Sequence, residues 1–271
     1  MTITELTQVI KAKQNYLCIG LDTDITKIPK NLLSLPNPVL AFNKAIIDAT
    51  KDYCVAYKLN TAFYEALGAA GWQCLADTVA YIPSTHFTIA DAKRGDIGNT
   101  SAQYAKAFFE VMNFDAITVS PYMGADSIKP YLAYKNKTTI VLALTSNDSA
   151  ADFELQKTGD QYLYEKVIIG VSAYGSASQV MFVVGATKAE ALINVRKLIP
   201  QHFLLIPGVG FQGGSLSEVT KHGYTNNVGL LVTVSRAIIY ASDAENYAIE
   251  AAEITKQYHY EMQNLLTQQL G

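Results

Sequence analysis

Phe87-Thr88-Ile89-Ala90-Asp91-Ala92-Lys93-Arg94-Gly95-Asp96-Ile97-Gly98-Asn99-Thr100 is the stretch from which the rest of the chain can be read. Phe87 to Ala90 is a short apolar run after Pro83, which reads as a buried strand. Side chains two apart on a strand share a face, so the pattern predicts that Asp91 and Lys93 point the same way at the strand's end. Two charges in a poorly hydrated place are costly unless each has a partner of opposite sign. A carboxylate beside an ammonium, with Asp96 a turn further on, meets that condition. Gly95 and Gly98 allow a sharp bend or a close approach of the backbone. A lone D-x-K is usually a surface ion pair at a strand end; the whole run is more specific.

Working outward, strand candidates recur at Tyr16–Leu21, Cys54–Leu59, Phe87–Asp91, Ala116–Ser120, Thr139–Leu144, Val180–Gly185, Phe203–Ile206 and Val228–Val234. Nearly all are continuous apolar runs, as parallel strands covered on both faces require. Amphipathic segments lie between them, at Val39–Thr50, Thr100–Asn113, Tyr162–Tyr174 and Lys188–Leu198. Asp243–Leu270 is long enough to close a ring of helices. Ile3, Leu6, Val9 and Ile10 recur at helical spacing and predict a short leading helix that caps a barrel floor. A doubly wound sheet would alternate in the same way. The count of eight and the polar strand ends favour a closed (β/α)8 TIM barrel spanning 1–271 as one domain. No short-period repeat interrupts the alternation.

With 271 residues, 49% of them hydrophobic and 17% charged, the chain can bury one large core. A net charge of −3 argues against a nucleic-acid surface, so an anionic ligand must be held by a few local donors. Cys18, Cys54 and Cys74 are odd in number and read as buried apolar residues of a reducing, cytoplasmic compartment. The start of the chain has no secretory pattern, and no run is long enough to span a membrane. His86, His202, His222 and His259 show no paired ligand spacing and read as ordinary histidines, with no metal expected. Asp148, Asp152 and Glu154 read as a solvated polar loop after the fifth strand.

In a barrel, function collects where strands run out into the loops that follow. Those ends carry Asp22, Lys58 with Asn60, Asp91 with Lys93, Ser120, Ser146, Thr187, Gly208–Gly214 and Ser235-Arg236. The G-x-G-x-x-G wording inside Gly208–Gly214 is not a dinucleotide fingerprint, because only one strand follows it. It reads as a loop whose bare amides can approach an anion, ahead of a helix N-terminus near Ser215. Arg236, opening the final helix after the eighth strand, adds a planar donor for the same anion. Lys58 and Lys93 are rivals for a Schiff-base role. If Lys58, Asp91, Lys93 and Asp96 meet, their alternating signs favour the charged form of each. An ammonium so held is a poor imine former and a good general acid.

Asp91 to Thr100 resembles the D-x-K-x-x-D-I-x-x-T signature of the orotidine 5′-monophosphate decarboxylase family, and K-R-G-D-I-G-N-T resembles its longer, type 2 branch. The resemblance implies cofactor-free decarboxylation of orotidine 5′-monophosphate to uridine 5′-monophosphate. It implies that Lys93 protonates C6 and that Asp91 sits against the substrate carboxylate. Asp22 and Lys58 match residues on the ribose hydroxyls, Ser146 the serine reading the pyrimidine, and Gln212 the glutamine bridging base and phosphate. Gly213 belongs to the same loop, and Arg236 matches the phosphate arginine. Asp96 and Thr100 match residues lent to the other subunit's site, implying a homodimer. Val119-Ser120-Pro121-Tyr122-Met123-Gly124 departs from the histidine-containing wording of the shorter branch, leaving Ser120 and Tyr122 without roles, and Arg94 has none either. Two alternatives stay open: a barrel acting on a sugar phosphate through a metal-bound enediolate, and a nucleotide-binding module without catalysis.

Overall fold

The computed structural model describes residues 1–210 and 213–270. Among them, eight parallel strands close into a barrel: β1 (Leu17–Gly20), β2 (Ala56–Asn60), β3 (Phe87–Arg94), β4 (Ala116–Val119), β5 (Thr138–Leu144), β6 (Val180–Val184), β7 (Phe203–Pro207) and β8 (Leu230–Val234). Neighbours in sequence pair in parallel, and Leu17 opposite Val232 closes the ring between β1 and β8. Strand side chains such as Leu17, Ile19, Phe87, Ile117, Phe182 and Leu231 are wholly or almost wholly buried, which accounts for the unbroken apolar runs.

The leading helix α1 (Ile3–Lys13) starts with a capping box in which the Thr2 hydroxyl accepts from the Glu5 N–H and Glu5 reaches back. It buries Ile3, Leu6 and Ile10. Lys13 donates to the carbonyls of Lys51 and Cys54, ahead of β2, and Lys11 to Asn227, ahead of β8. The helix therefore lies across the strand starts, as the expected floor cap does, and the loops after the strands stay open at the other end.

The outer layer runs α2 (Pro38–Thr50), α3 (Thr61–Glu65), α4 (Gly68–Tyr81), α5 (Gly98–Lys106), α6 (Ala125–Leu132), α7 (Leu163–Ser172), α8 (Ala191–Leu198), α9 (Leu216–Gly223), α10 (Arg236–Ile239) and α11 (Tyr247–Leu270). Two expectations need correction. The helix expected to run unbroken over Thr100–Asn113 instead gives way after Lys106 to a π-turn at Ala107–Val111, where the Met112 N–H bonds to the Ala107 carbonyl. That wider turn accommodates two consecutive buried rings, Phe108 and Phe109. Arg236 opens a separate one-turn helix, α10, and not the closing helix, because Ser242 to Ala244 form a turn before α11. The loop after β5 contains a two-residue hairpin, Lys157–Thr158 against Gln161–Tyr162, too short to leave a sequence signal. Among the described residues no helix is long and apolar enough to cross a membrane.

Candidate active site

The strand ends open onto a cavity of about 320 Å³ whose lining includes Asp22, Lys58, Asp91, Lys93, Ser146 and Arg236. That volume lies at the lower end of the range for small-molecule pockets. Lys58 stands on β2, 5% exposed, and donates to Asp91 Oδ2 at 2.9 Å and to Asp22 Oδ1 at 3.2 Å. Lys93 Nζ donates to Asp91 Oδ1 at 2.7 Å, its side chain half exposed toward the cavity. Four charges thus alternate along one line: Asp22, Lys58, Asp91, Lys93. Burial alone would push the Asp91 carboxyl up. The ammonium groups of Lys58 and then Lys93 outweigh it and hold the group well below the usual carboxylate range. Lys58 is the mirror case, since burial disfavours its charge but Asp22 and Asp91 raise it well above an ordinary lysine.

Asp91 and Lys93 meet as expected, yet not by simple strand alternation. Ala90 pairs with Ile117 and Arg94 with Val119, so β3 accommodates two more residues than β4 over the same span. Lys93 has φ of +47°, in the left-handed region that costs a non-glycine residue about 1–2 kcal/mol. Such a conformation persists only where its surroundings impose it. Here the Lys93 N–H donates to Thr118 Oγ1 at 2.9 Å, and the same hydroxyl donates to Asp91 Oδ1 at 3.0 Å. Thr118, fully buried on β4, gave no sequence signal: a threonine inside an apolar strand reads as filler.

Asp96 is not among the residues lining this cavity. Its carboxylate accepts from the Ile97 N–H and its carbonyl from Ser101. Thr100 is exposed on the first turn of α5. Within one chain, Asp22 takes the place in the alternation that the sequence reading gave to Asp96.

The loop after β5 differs from its reading. Glu154, expected on a solvated face, accepts from the Thr145 N–H at 2.7 Å and from the Thr145 hydroxyl at 2.9 Å, pinning the residue before Ser146. Gly185 faces Ser146 so closely that a Cβ there would lie 2.7 Å from Ser146 Cα, and Thr187 donates to the Ser146 carbonyl. The loop after β7 also departs from expectation. The amides of Gly210, Gly213 and Gly214 are not bare but donate to the carbonyls of Gly214, Gly210 and Gly208. Gly213 therefore spends its N–H inside the turn, and Gly208 and Val209 line the cavity. Gln212 lies outside the described residues. Ser215 caps α9 as the pattern predicts. Ser235 donates to the Gly20 carbonyl across the β1–β8 seam, which sets Arg236 on the same rim as Asp22.

Tyr122 is 87% exposed and Ser120 donates its N–H to the Arg94 carbonyl; neither lines the cavity. His86 bonds the Lys51 carbonyl, His222 sits against Glu218 and His259 against Asn15.

A parallel barrel that gathers two carboxylates, two ammonium groups and an arginine at the carboxyl ends of its strands is the architecture of a barrel enzyme for a small anionic substrate. The family model described as "Orotidine 5′-phosphate decarboxylase / HUMPS family" matches residues 15–251. A protein of Christiangramia forsetii named orotidine 5′-phosphate decarboxylase is 58% identical over all of this chain and 99% of its own length. A protein of the same name from Flavobacterium johnsoniae is 52% identical, covering 98% of each chain. The solved structure of Leishmania donovani OMP decarboxylase superposes with a TM-score of 0.81 at 35% identity, over 96% of this chain and 100% of that one. The chain belongs to the orotidine 5′-phosphate decarboxylase / HUMPS family.

Proposed function

We infer that this cavity decarboxylates orotidine 5′-monophosphate to uridine 5′-monophosphate, a carboxy-lyase step of pyrimidine biosynthesis, with Lys93 as the proton donor. Family membership and the decarboxylase names of its relatives support the reaction. The observation that carries the role of Lys93 is its ammonium, 2.7 Å from Asp91 and facing the cavity that Arg236 also lines.

The chemistry asks for such an arrangement. Losing carbon dioxide from C6 leaves an electron pair in an sp² orbital that the ring π system absorbs poorly. A fixed positive charge beside C6 stabilises that pair as it develops and costs no reorganisation when it forms. Lys93 then transfers a proton to C6, giving the product's C6–H bond and a neutral amine that solvent reprotonates. Asp91, ionised between two ammonium groups, holds Lys93 in place. Asp22 and Lys58 bind the ribose hydroxyls, Ser146 the pyrimidine edge, and Gln212 and Arg236 the phosphate, with Gly213 shaping that loop. Phosphate binding far from C6 supplies energy for excluding water around the reacting carbon. The proposed setting is the cytoplasm, which suits three buried cysteines with free thiols.

Mixing the protein with orotidine 5′-monophosphate in the presence of a chelator is expected to abolish the orotate-type ultraviolet absorbance. A rate that collapses with chelator would favour the sugar-phosphate chemistry of other barrels. Tight uridine monophosphate binding without carbon dioxide release would favour a binding module.

Asp96 and Thr100 stand half exposed and exposed beyond the cavity, on a segment that also carries the exposed Ile97 and whose Gly95 lies close to the exposed Met123. That placement supports a homodimer in which each protomer lends these two residues to its partner's site. Mixing and reassembling Lys93→Ala with Asp96→Ala protein, each inactive alone, is expected to restore up to about a quarter of wild-type activity, because random pairing gives half hybrids with one intact site of two. No recovery after proven subunit exchange would refute shared sites.

A further inference from the structure

We propose that Arg94 is the positioning residue of the proton donor: it holds the left-handed peptide from which Lys93 projects, and so sets where the ammonium stands. The inference rests on the reading of Lys93 given above.

Lys93 sits at the point where β3 and β4 lose register, with φ of +47°. Its backbone is held from both sides. Before it, the Ala92 carbonyl accepts from Arg94 Nη1 at 3.0 Å. After it, the Arg94 carbonyl accepts from the Ser120 N–H at 2.8 Å. Arg94 therefore folds its side chain back over the lysine's own peptide and bridges the irregular segment.

The guanidinium is itself fixed. Nη2 pairs with Glu65, the last residue of α3, and the planar group lies 5.3 Å from the Tyr104 ring and 5.5 Å from the Phe108 ring. The π-turn after α5 carries Phe108, so the irregular helix supplies one ring of this clamp. With only 18% of its side chain exposed and none of it lining the cavity, Arg94 cannot bind the ligand directly. Any effect it has on turnover must pass through Lys93. Lysine could not replace it, because a single ammonium cannot bond the Ala92 carbonyl and Glu65 in the divergent directions that the fork reaches.

The alternative role is a stabilising ion pair with Glu65 that leaves catalysis untouched, and two substitutions separate the two. Arg94→Lys keeps a charge opposite Glu65, and Arg94→Met keeps the apolar stem between the rings without donors. Misplacing a reacting group by about 1 Å can cost about 100-fold in rate. Both variants are therefore expected to lose about 10- to 100-fold in kcat while the uridine monophosphate Kd stays within about twofold. Exchange of the product's C6 proton for solvent deuterium, the reverse of the donation step, should slow by the same factor. Should Arg94→Met fail to fold, Arg94→Lys decides alone. A kcat for Arg94→Lys within twofold of wild type, or a loss seen only in KM, overturns the proposal. Full activity of Lys93→Ala would instead remove the reading beneath it, so the two failures are distinguishable.

Discussion

The Lys93→Ala protein is expected to lose turnover by about 10⁴-fold or more while still binding uridine monophosphate, read by single-turnover absorbance and by calorimetry. The magnitude combines two effects of one side chain. A positioned general acid is worth roughly 10²–10⁴ in rate, and removing one preorganised electrostatic donor costs roughly 10²–10³. Both would be lost together, because in the proposed mechanism the charge that stabilises the C6 electron pair also carries the proton that quenches it. Binding should survive because the proposed phosphate and ribose contacts, at Arg236 and at Asp22 with Lys58, do not pass through Lys93. Removing this half-exposed ammonium leaves Asp91 still paired to the buried Lys58, so the fold should hold. Activity within tenfold of wild type would refute the assignment of the proton donor.

The same residues show where a sequence reading reaches and where it stops. Eight apolar runs located the strands to within a few residues, because burial on both faces leaves an unbroken signal. Asp22, Lys58, Asp91 and Lys93 were legible as charges gathered at the ends of those runs. Their partnership within one chain was not legible. Asp96 is near in sequence, but the bend after β3 turns it away within its own chain, and Asp22 arrives from the far side of β2. Thr118 and Glu154 carry no local mark, since their importance lies in hydrogen bonds to residues far along the chain or across a loop. The left-handed Lys93 was equally hidden: no rule of periodicity predicts a positive φ at a lysine, which appears where β3 and β4 lose register. Arg94 had no role because its partners, Glu65 and Tyr104, are set by tertiary contacts.

Asp91→Asn is expected to affect stability and catalysis together. Removing one partner from a buried ion pair costs about 3–5 kcal/mol, and the lower end applies here because Lys58 keeps Asp22 and Lys93 is half exposed. In a chain of this length about 3 kcal/mol corresponds to a melting-temperature loss of roughly 5 °C. The folded-state carboxyl lies below its unfolded value of about 3.9, so its contribution is complete above that pH and disappears as pH falls. The Lys58 ammonium, raised in the folded state, contributes fully below about pH 10.4 and loses its contribution as pH rises further. The stability gap between wild type and variant should therefore be flat from about pH 5 to about pH 10 and narrow on either side, in acid as Asp91 protonates and in strong alkali as Lys58 loses its charge. Catalysis responds through charge. Asparagine leaves Lys93 without its 2.7 Å carboxylate partner, so the ammonium is no longer pinned at C6 and kcat should fall by about 10²-fold or more. The substrate carboxylate, proposed to lie beside residue 91, would then meet an amide in place of a like charge, so KM should not rise. A variant with raised KM and intact kcat would mean that Asp91 binds substrate and does not position the acid.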